Sequence, residues 1–193
     1  MRLLGALLLL LATNAGAESI ERLEISRDGA RYQIELHASL NAPLADAYAV
    51  FRDFRNLPKI NDAVESVESM PAPSPGIERW RTHVRVCVSV FCSHLKQVQD
   101  IRDSRNADFY QLDASVIPAM SNLRYGEAHW QLEHCGAQTC LSFVAALEPD
   151  FWVPPLIGPW AIERTMRREA LRTAAGIEAL ALAHRSAAVT ETP

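Results

Sequence analysis

Four cysteines, Cys87, Cys92, Cys135 and Cys140, are the residues of this 193-residue chain most suited to covalent chemistry. A zinc site wants thiolates and imidazoles gathered at short spacings such as C-x-x-C. Both cysteine pairs here are spaced more widely, and no pair of histidines accompanies them. An even cysteine count in an exported chain reads instead as disulfides, with three pairings open on the residues alone. The histidines, at 37, 83, 94, 129, 134 and 184, are scattered. No G-x-S-x-G elbow, H-E-x-x-H pair or phosphate loop is present. His83 and Arg85 alternate with the apolar side of their segment, and Glu127 and His129 sit opposite Ala128 and Trp130. Gln97, Gln99, Gln111 and Asp113 fit either face. No residue is singled out as catalytic, and neither a metal nor a cofactor is expected.

The start of the chain sets the compartment in which those cysteines work. Arg2 precedes an apolar run, Leu3 to Ala12, with Leu at seven of its ten positions. Ala15-Gly16-Ala17 then offers a small-x-small cleavage site. This is the order of a secretory leader. The run is too short for the roughly 20 residues a membrane span needs. No Cys follows the small residues, and no twin-Arg pair precedes the run. We therefore expect a leader over 1–17, a domain over 18–185, a flexible tail over 186–193, and a periplasmic or secreted mature chain. The remainder is long enough for one domain with a sizeable core. With a formal charge of −4 before the loss of Arg2 and no basic block, nucleic acid is not expected as a partner.

The elements follow from periodicity. Over 30–40, Tyr32, Ile34, Leu36, Ala38 and Leu40 alternate with polar residues, which predicts a half-buried strand. Asn41-Ala42-Pro43 stops it, with Asn41 suited to cap a helix. The segment 43–55 carries Leu44, Ala47, Tyr48, Phe51 and Phe54 at helical spacing. From Ala63 to Pro149 the pattern predicts six strands: Val64–Met70, Glu78–Val86, His94–Arg102, Phe109–Ser115, Leu123–Leu132 and Leu141–Leu147. Turn chemistry separates them as an antiparallel meander. A proline-rich passage from Pro149 to Pro159 leads into a long helix from about Trp160 to His184. Its apolar stripe runs through Ile162, Met166, Ala170, Thr173, Ile177 and Leu180, and Arg164, Arg167 and Arg168 lie off it.

That order resembles the START-like superfamily, also called SRPBCC or polyketide cyclase-like. The resemblance is carried by Leu40-Asn41-Ala42-Pro43, Ala47, and Phe51-Arg52-Asp53-Phe54-Arg55-Asn56-Leu57-Pro58, with Gly126-x-x-x-Trp130-x-Leu132 and Thr139 to Leu147 near the end. It covers about residues 28–184. It implies an α+β helix-grip fold: a curved seven-stranded antiparallel sheet around a long C-terminal helix, with two short helices after the first strand. In that topology the two cysteine hairpins lie at opposite ends of the sheet, which implies the pairs Cys87–Cys92 and Cys135–Cys140.

The resemblance also implies a cavity between sheet and helix that accepts an apolar molecule such as a lipid, sterol, quinone or polyketide. Trp80, Val84, Trp130, Phe143, Ile162 and Met166 are the candidate walls, residues that equally suit a packed core. Phe151 and Trp152, in the proline-rich passage, suit either a rigid corner or a portal near the cavity mouth, where transient contact with a membrane surface would follow. A void of ~300 Å3 left empty would cost on the order of 7 kcal/mol, comparable to a domain's whole stability. Such a cavity must fill or collapse. The expected function is therefore an exported carrier or binding protein for an apolar molecule. The alternatives are a cyclase, dehydratase or hydrolase acting in the same cavity, or an interaction module whose cavity has collapsed.

Overall fold

The structure, a computed structural model, describes residues 19–88, 91–106, 108–153 and 158–190. The expected leader and residues 154–157 of the proline-rich passage lie outside the described residues. The chain forms β1 (Ser19–Asp28), β2 (Arg31–Leu40), α1 (Leu44–Arg52), α2 (Leu57–Ile60), β3 (Val64–Met70), β4 (Glu78–Val88), β5 (Phe91–Arg105), β6 (Phe109–Val116), β7 (Leu123–Cys135), β8 (Gln138–Pro149) and α3 (Gly158–Thr190). Two single 3-10 turns, Phe54–Asn56 and Pro118–Met120, lie between them. The strands make one curved, open antiparallel sheet in the order β1-β2-β8-β7-β6-β5-β4-β3.

The sheet has eight strands, one more than the sequence pattern suggested. The extra strand is β1. Its apolar residues Ile20, Leu23 and Ile25 do not alternate, because the register slips between Ile20 and Arg22. A bulge of this kind resets which side chains face the core. Gly29, with φ of +58°, closes the tight turn that pairs Asp28 with Arg31.

The core sits at one end of the sandwich formed by the sheet, α1 and α3. Leu36, Ala38 and Leu40 of β2, Leu112 of β6, Leu132 of β7 and Leu141 of β8 pack there with Ala47, Val50 and Phe51 of α1. From α3 come Ala170, Ala174, Ile177 and Ala181, whose small side chains let the helix approach closely. The expected side-chain cap by Asn41 is absent: the Asn41 backbone N–H instead donates to Glu178 Oε2 of α3 at 2.6 Å. The Asn61 amide, just after α2, donates to the Glu169 carbonyl and to Thr173 Oγ1 of α3.

Helix α3 runs further than expected at both ends. Residues 186–190, expected as part of a flexible tail, are helical. Ser, Ala, Ala, Val and Thr carry no breaker, so nothing in that stretch ends the helix. Near its start, two nitrogens of Arg168 donate to the Cys87 carbonyl, both at 3.1 Å. The disulfides are Cys87–Cys92, between directly paired positions of β4 and β5, and Cys135–Cys140 at the β7–β8 hairpin. The strand order places the two hairpins at opposite ends of the sheet, the pairing the topology implied.

Candidate functional site

Cross-strand partners leave a sheet on the same face. The registers therefore sort the inner, helix-facing side chains into rows. One row is Tyr110, Leu132, Leu141 and Ala38; the next is Asp103, Leu112, Trp130, Phe143 and Leu36; the next is Glu78, Ile101, Ala114, Ala128, Ala145 and Ile34. Beyond these come Trp80 with Gln99 and Val116, then Thr82 with Gln97, then Val84 with Leu95. Gln97 and Gln99 thus face inward, whereas Gln111, Asp113 and His129 face the convex side.

Burial changes along these rows. Leu132, Leu141 and Ala38 are sealed. Trp130 and Phe143, one row on, are half-buried although Leu112 and Leu36 beside them are not exposed. Past them Ala114, Val116, Ala128, Ala145 and Leu147 are all half-buried, flanked by the buried Ile34 of β2 and Ile101 of β5. Ile162 and Met166, one turn apart on the inner side of α3, are half-buried as well. Apolar inner-face residues are thus only partly covered under the first half of α3, a stretch we call the chamber, and they pack against a sealed core under the second half.

Aromatic rings form the floor between the two. Trp130 stacks on Phe143 at 3.8 Å between centroids, and Phe51 of α1 closes on Trp130 at 4.8 Å. Trp80 packs on Phe54 at 5.4 Å. Six of the expected wall residues, Trp80, Val84, Trp130, Phe143, Ile162 and Met166, therefore share the inner side, all half-buried. Phe151 and Trp152 do not join them: Trp152 is 79% exposed and Phe151 42%. Phe51 and Phe54 were legible only as core positions of a helix; nothing in their spacing marks them as a floor.

A charged staple closes one side of the sandwich. Arg52, at the end of α1, donates to both carboxylate oxygens of Glu78 and, at 2.7 Å, to Asp103. Trp80 Nε1 donates to Glu78 at 3.0 Å, and the Tyr48 hydroxyl donates to Asp103 at 2.5 Å. Arg52 holds the Glu78 carboxyl below its ordinary value against the opposing effect of burial. Burial and the bond to Asp103 push the Tyr48 phenol up to about 12. The two inner-face acids are thus already matched. On the convex face, His129 contacts Asp113 at 2.6 Å. Burial pushes the Asp113 carboxyl up, but hydrogen bonds from Gln111 and His129 outweigh it and hold the group low.

A groove of about 420 Å3 runs beside the β1 edge, lined by inner-face Leu23, Ile25 and Ile34, by convex-face Glu24, Gln33, Glu35 and Val144, and by Arg167 of α3. Among the described residues, no group of three His, Cys, Asp or Glu is placed to hold a metal ion, and no helix is long and apolar enough to cross a membrane.

No protein-family model and no curated protein matches the sequence. Solved structures do. Human StAR-related lipid transfer protein 5 superposes with a TM-score of 0.64 at 12% identity, over 84% of this chain and 88% of that one. The fold is START-like. The Zhui aromatase/cyclase from Streptomyces sp. R1128 gives 0.63 at 14% identity, over 78% of this chain and 93% of that one. The STAR-related lipid transfer protein from Xanthomonas axonopodis gives 0.54 at 13%, over 84% and 97% respectively. Lipid transfer proteins and cyclases thus share the START-like architecture at identities that speak to fold alone.

Proposed function

We propose that this chain is an exported carrier or binding protein that holds an apolar small molecule, such as a lipid, sterol or quinone, between its sheet and α3. The observation that carries this reading is the change in burial along the inner face, from the sealed Leu132 and Leu141 to the half-buried Ala128, Ala145 and Leu147. Apolar walls that meet solvent lose the stabilisation of burial, about 25 cal/mol for each Å2 left wet. A ligand that covers them recovers it. The names of the lipid transfer neighbours agree with such a cargo. The two disulfides suit an oxidising compartment, which fits the export expected from the sequence of residues 1–17.

A carrier fits better than a cavity enzyme because the His–carboxylate pairs stand outside the chamber. His129–Asp113 lies on the convex face, and His37–Glu35 is in the same outward set of β2. The inner-face acids Glu78 and Asp103 are engaged by Arg52.

The mouth of the chamber is the place for transient contact with a membrane. Trp152, Trp160 and Phe151 are exposed by 79%, 58% and 42%, next to or within the first turn of α3. Trp at a lipid–water boundary buries an apolar body while keeping its N–H wet. Arg164 lies over the Trp160 ring at 5.7 Å, placing a cation where acidic head groups would meet it.

The deciding experiment is native mass spectrometry, with organic extraction, of the protein purified from the compartment to which its own host exports it. A stoichiometric apolar ligand is the expected result. Protein that arrives without ligand and takes none from a lipid extract overturns the reading, and a ligand consumed on incubation replaces it with the enzyme.

A further inference from the structure

The chamber is not apolar all round. On the β4–β5 wall, Thr82 and Gln97 are directly paired, and Gln99 pairs with Trp80 two positions along. All face inward, as the same-parity Ile101 of β5, a member of the core, confirms. Thr82 is only 3% exposed, yet its hydroxyl has no hydrogen-bond partner. Gln97 and Gln99 are half-buried, and no hydrogen bond to either side chain occurs among the described residues. The inner positions of β6, β7 and β8 here, Ala114, Val116, Ala128, Ala145 and Leu147, carry no polar side chain, and on α3 the Thr165 hydroxyl is buried and likewise unpartnered.

Native structures rarely leave buried polar groups unpaired, and each instance asks for a partner. Here the buried Thr82 hydroxyl lacks one, and beside it the half-buried amides of Gln97 and Gln99 make no bond among the described residues and stay open to a ligand. A primary amide and a hydroxyl each offer both donor and acceptor. They therefore match a hydroxyl or a carbonyl oxygen. They offer no charge; the acids Glu78 and Asp103 are matched by Arg52, and Arg168 of α3 is engaged by Glu169 and the Cys87 carbonyl. A bare carboxylate or ammonium brought into this space would be desolvated without a counter-ion.

We propose that Thr82, Gln97 and Gln99 form a polar subsite that selects an apolar ligand bearing an uncharged hydroxyl or carbonyl, over both plain hydrocarbons and charged amphiphiles. The inference rests on the carrier reading and specifies its cargo. The apolar walls supply most of the affinity, and the strip fixes which end of the ligand faces β4 and β5.

The test uses the mature protein stripped of lipid, with the neutral fluorophore N-phenyl-1-naphthylamine as the chamber probe. Decan-1-ol, decan-2-one, decane and decanoate compete for it at pH 8. The alcohol and the ketone should displace the probe at about tenfold lower concentration than decane, the worth of one hydrogen bond that water no longer supplies. Decanoate should be the weaker competitor beside the alcohol. Gln97→Leu and Thr82→Val should remove the advantage of the alcohol over decane. Thr82→Val should also leave the melting temperature of the empty protein unchanged or raised, because it deletes an orphan hydroxyl. A fall in melting temperature would reveal a structural partner for Thr82 and overturn its part. Probe binding with equal competition by alcohol and alkane, or an advantage that survives both substitutions, overturns the subsite alone. Failure of the probe to bind at all overturns the carrier reading and the subsite with it.

Discussion

Trp130 lies face to face on Phe143, with centroids 3.8 Å apart and planes 24° from parallel. The two residues are direct partners across β7 and β8, so the stack is dictated by register. It separates sealed core from open chamber, which makes Trp130 a reporter of what the chamber holds. The chain has four tryptophans. In a Trp152→Phe/Trp160→Phe variant only Trp80 and Trp130 emit, both inside. Adding N-phenyl-1-naphthylamine should quench that emission by energy transfer, and a competing ligand should restore it. Unchanged emission at saturating probe would place the binding site elsewhere.

The exposed tryptophans make the reciprocal case. Trp152 and Trp160 are both exposed, one ahead of α3 and one within its first turn. In a Trp80→Phe/Trp130→Phe variant, vesicles containing an anionic lipid should shift the remaining emission to the blue. Trp152→Ala and Trp160→Ala should each weaken vesicle co-sedimentation on the order of tenfold, the worth of part of one indole's area removed from water. Co-sedimentation that neither substitution changes argues for contact through another surface or for none.

How much of this was legible in the sequence depends on whether a local pattern carried the information. Strict alternation placed β2, and Val64–Met70 was read with the bounds the structure has. Strand β1 escaped because its bulge breaks the alternation, so local periodicity alone does not reveal it. The face of Gln97 and Gln99 was ambiguous for a related reason. Val98 is fully buried on the opposite side of β5, where its backbone bonds to Ile117 and Ser121 of the β6–β7 connection, while Ile101 is buried on the inner side. Apolar residues on both faces of one strand cancel the signal, and only the cross-strand register resolves it. Phe151 and Trp152 show another limit: hydrophobicity says that a side chain wants cover, not that the chain's own fold provides it.

Gly176 tests how α2 is held. In the middle of an exposed helix, Gly→Ala is stabilising by up to about 1 kcal/mol. Here the Ile60 carbonyl of α2 lies directly against Gly176, and a Cβ would fall well inside contact distance of that oxygen and its carbon. Backbone, not a flexible side-chain tip, is in the way. Gly176→Ala should therefore destabilise the protein by about 1–3 kcal/mol, the range of an overpacked core. Chemical denaturation reads the sign directly, and a stabilised variant would show that α2 gives way freely.

Tyr48 gives the staple a pH signature. Its ring stacks on Tyr110 at 3.8 Å, and its hydroxyl donates to Asp103 beside Arg52. Burial, then the bond to Asp103, raise its folded pKa from the ordinary 10.0 to about 12. The neutral phenol is thus favoured in the folded state, while the unfolded chain ionises near its ordinary value. The contribution of this proton is fully present below pH 10.0 and disappears as the pH rises toward about 12. Tyr48→Phe removes the ionisation together with the hydrogen bond to Asp103. The stability gap between wild type and Tyr48→Phe should therefore be widest at neutral pH and close through that alkaline window, as measured by urea unfolding at a series of pH values. A gap independent of pH across the window would mean that the hydroxyl is solvated and that Arg52, rather than Tyr48, anchors Asp103 to α1.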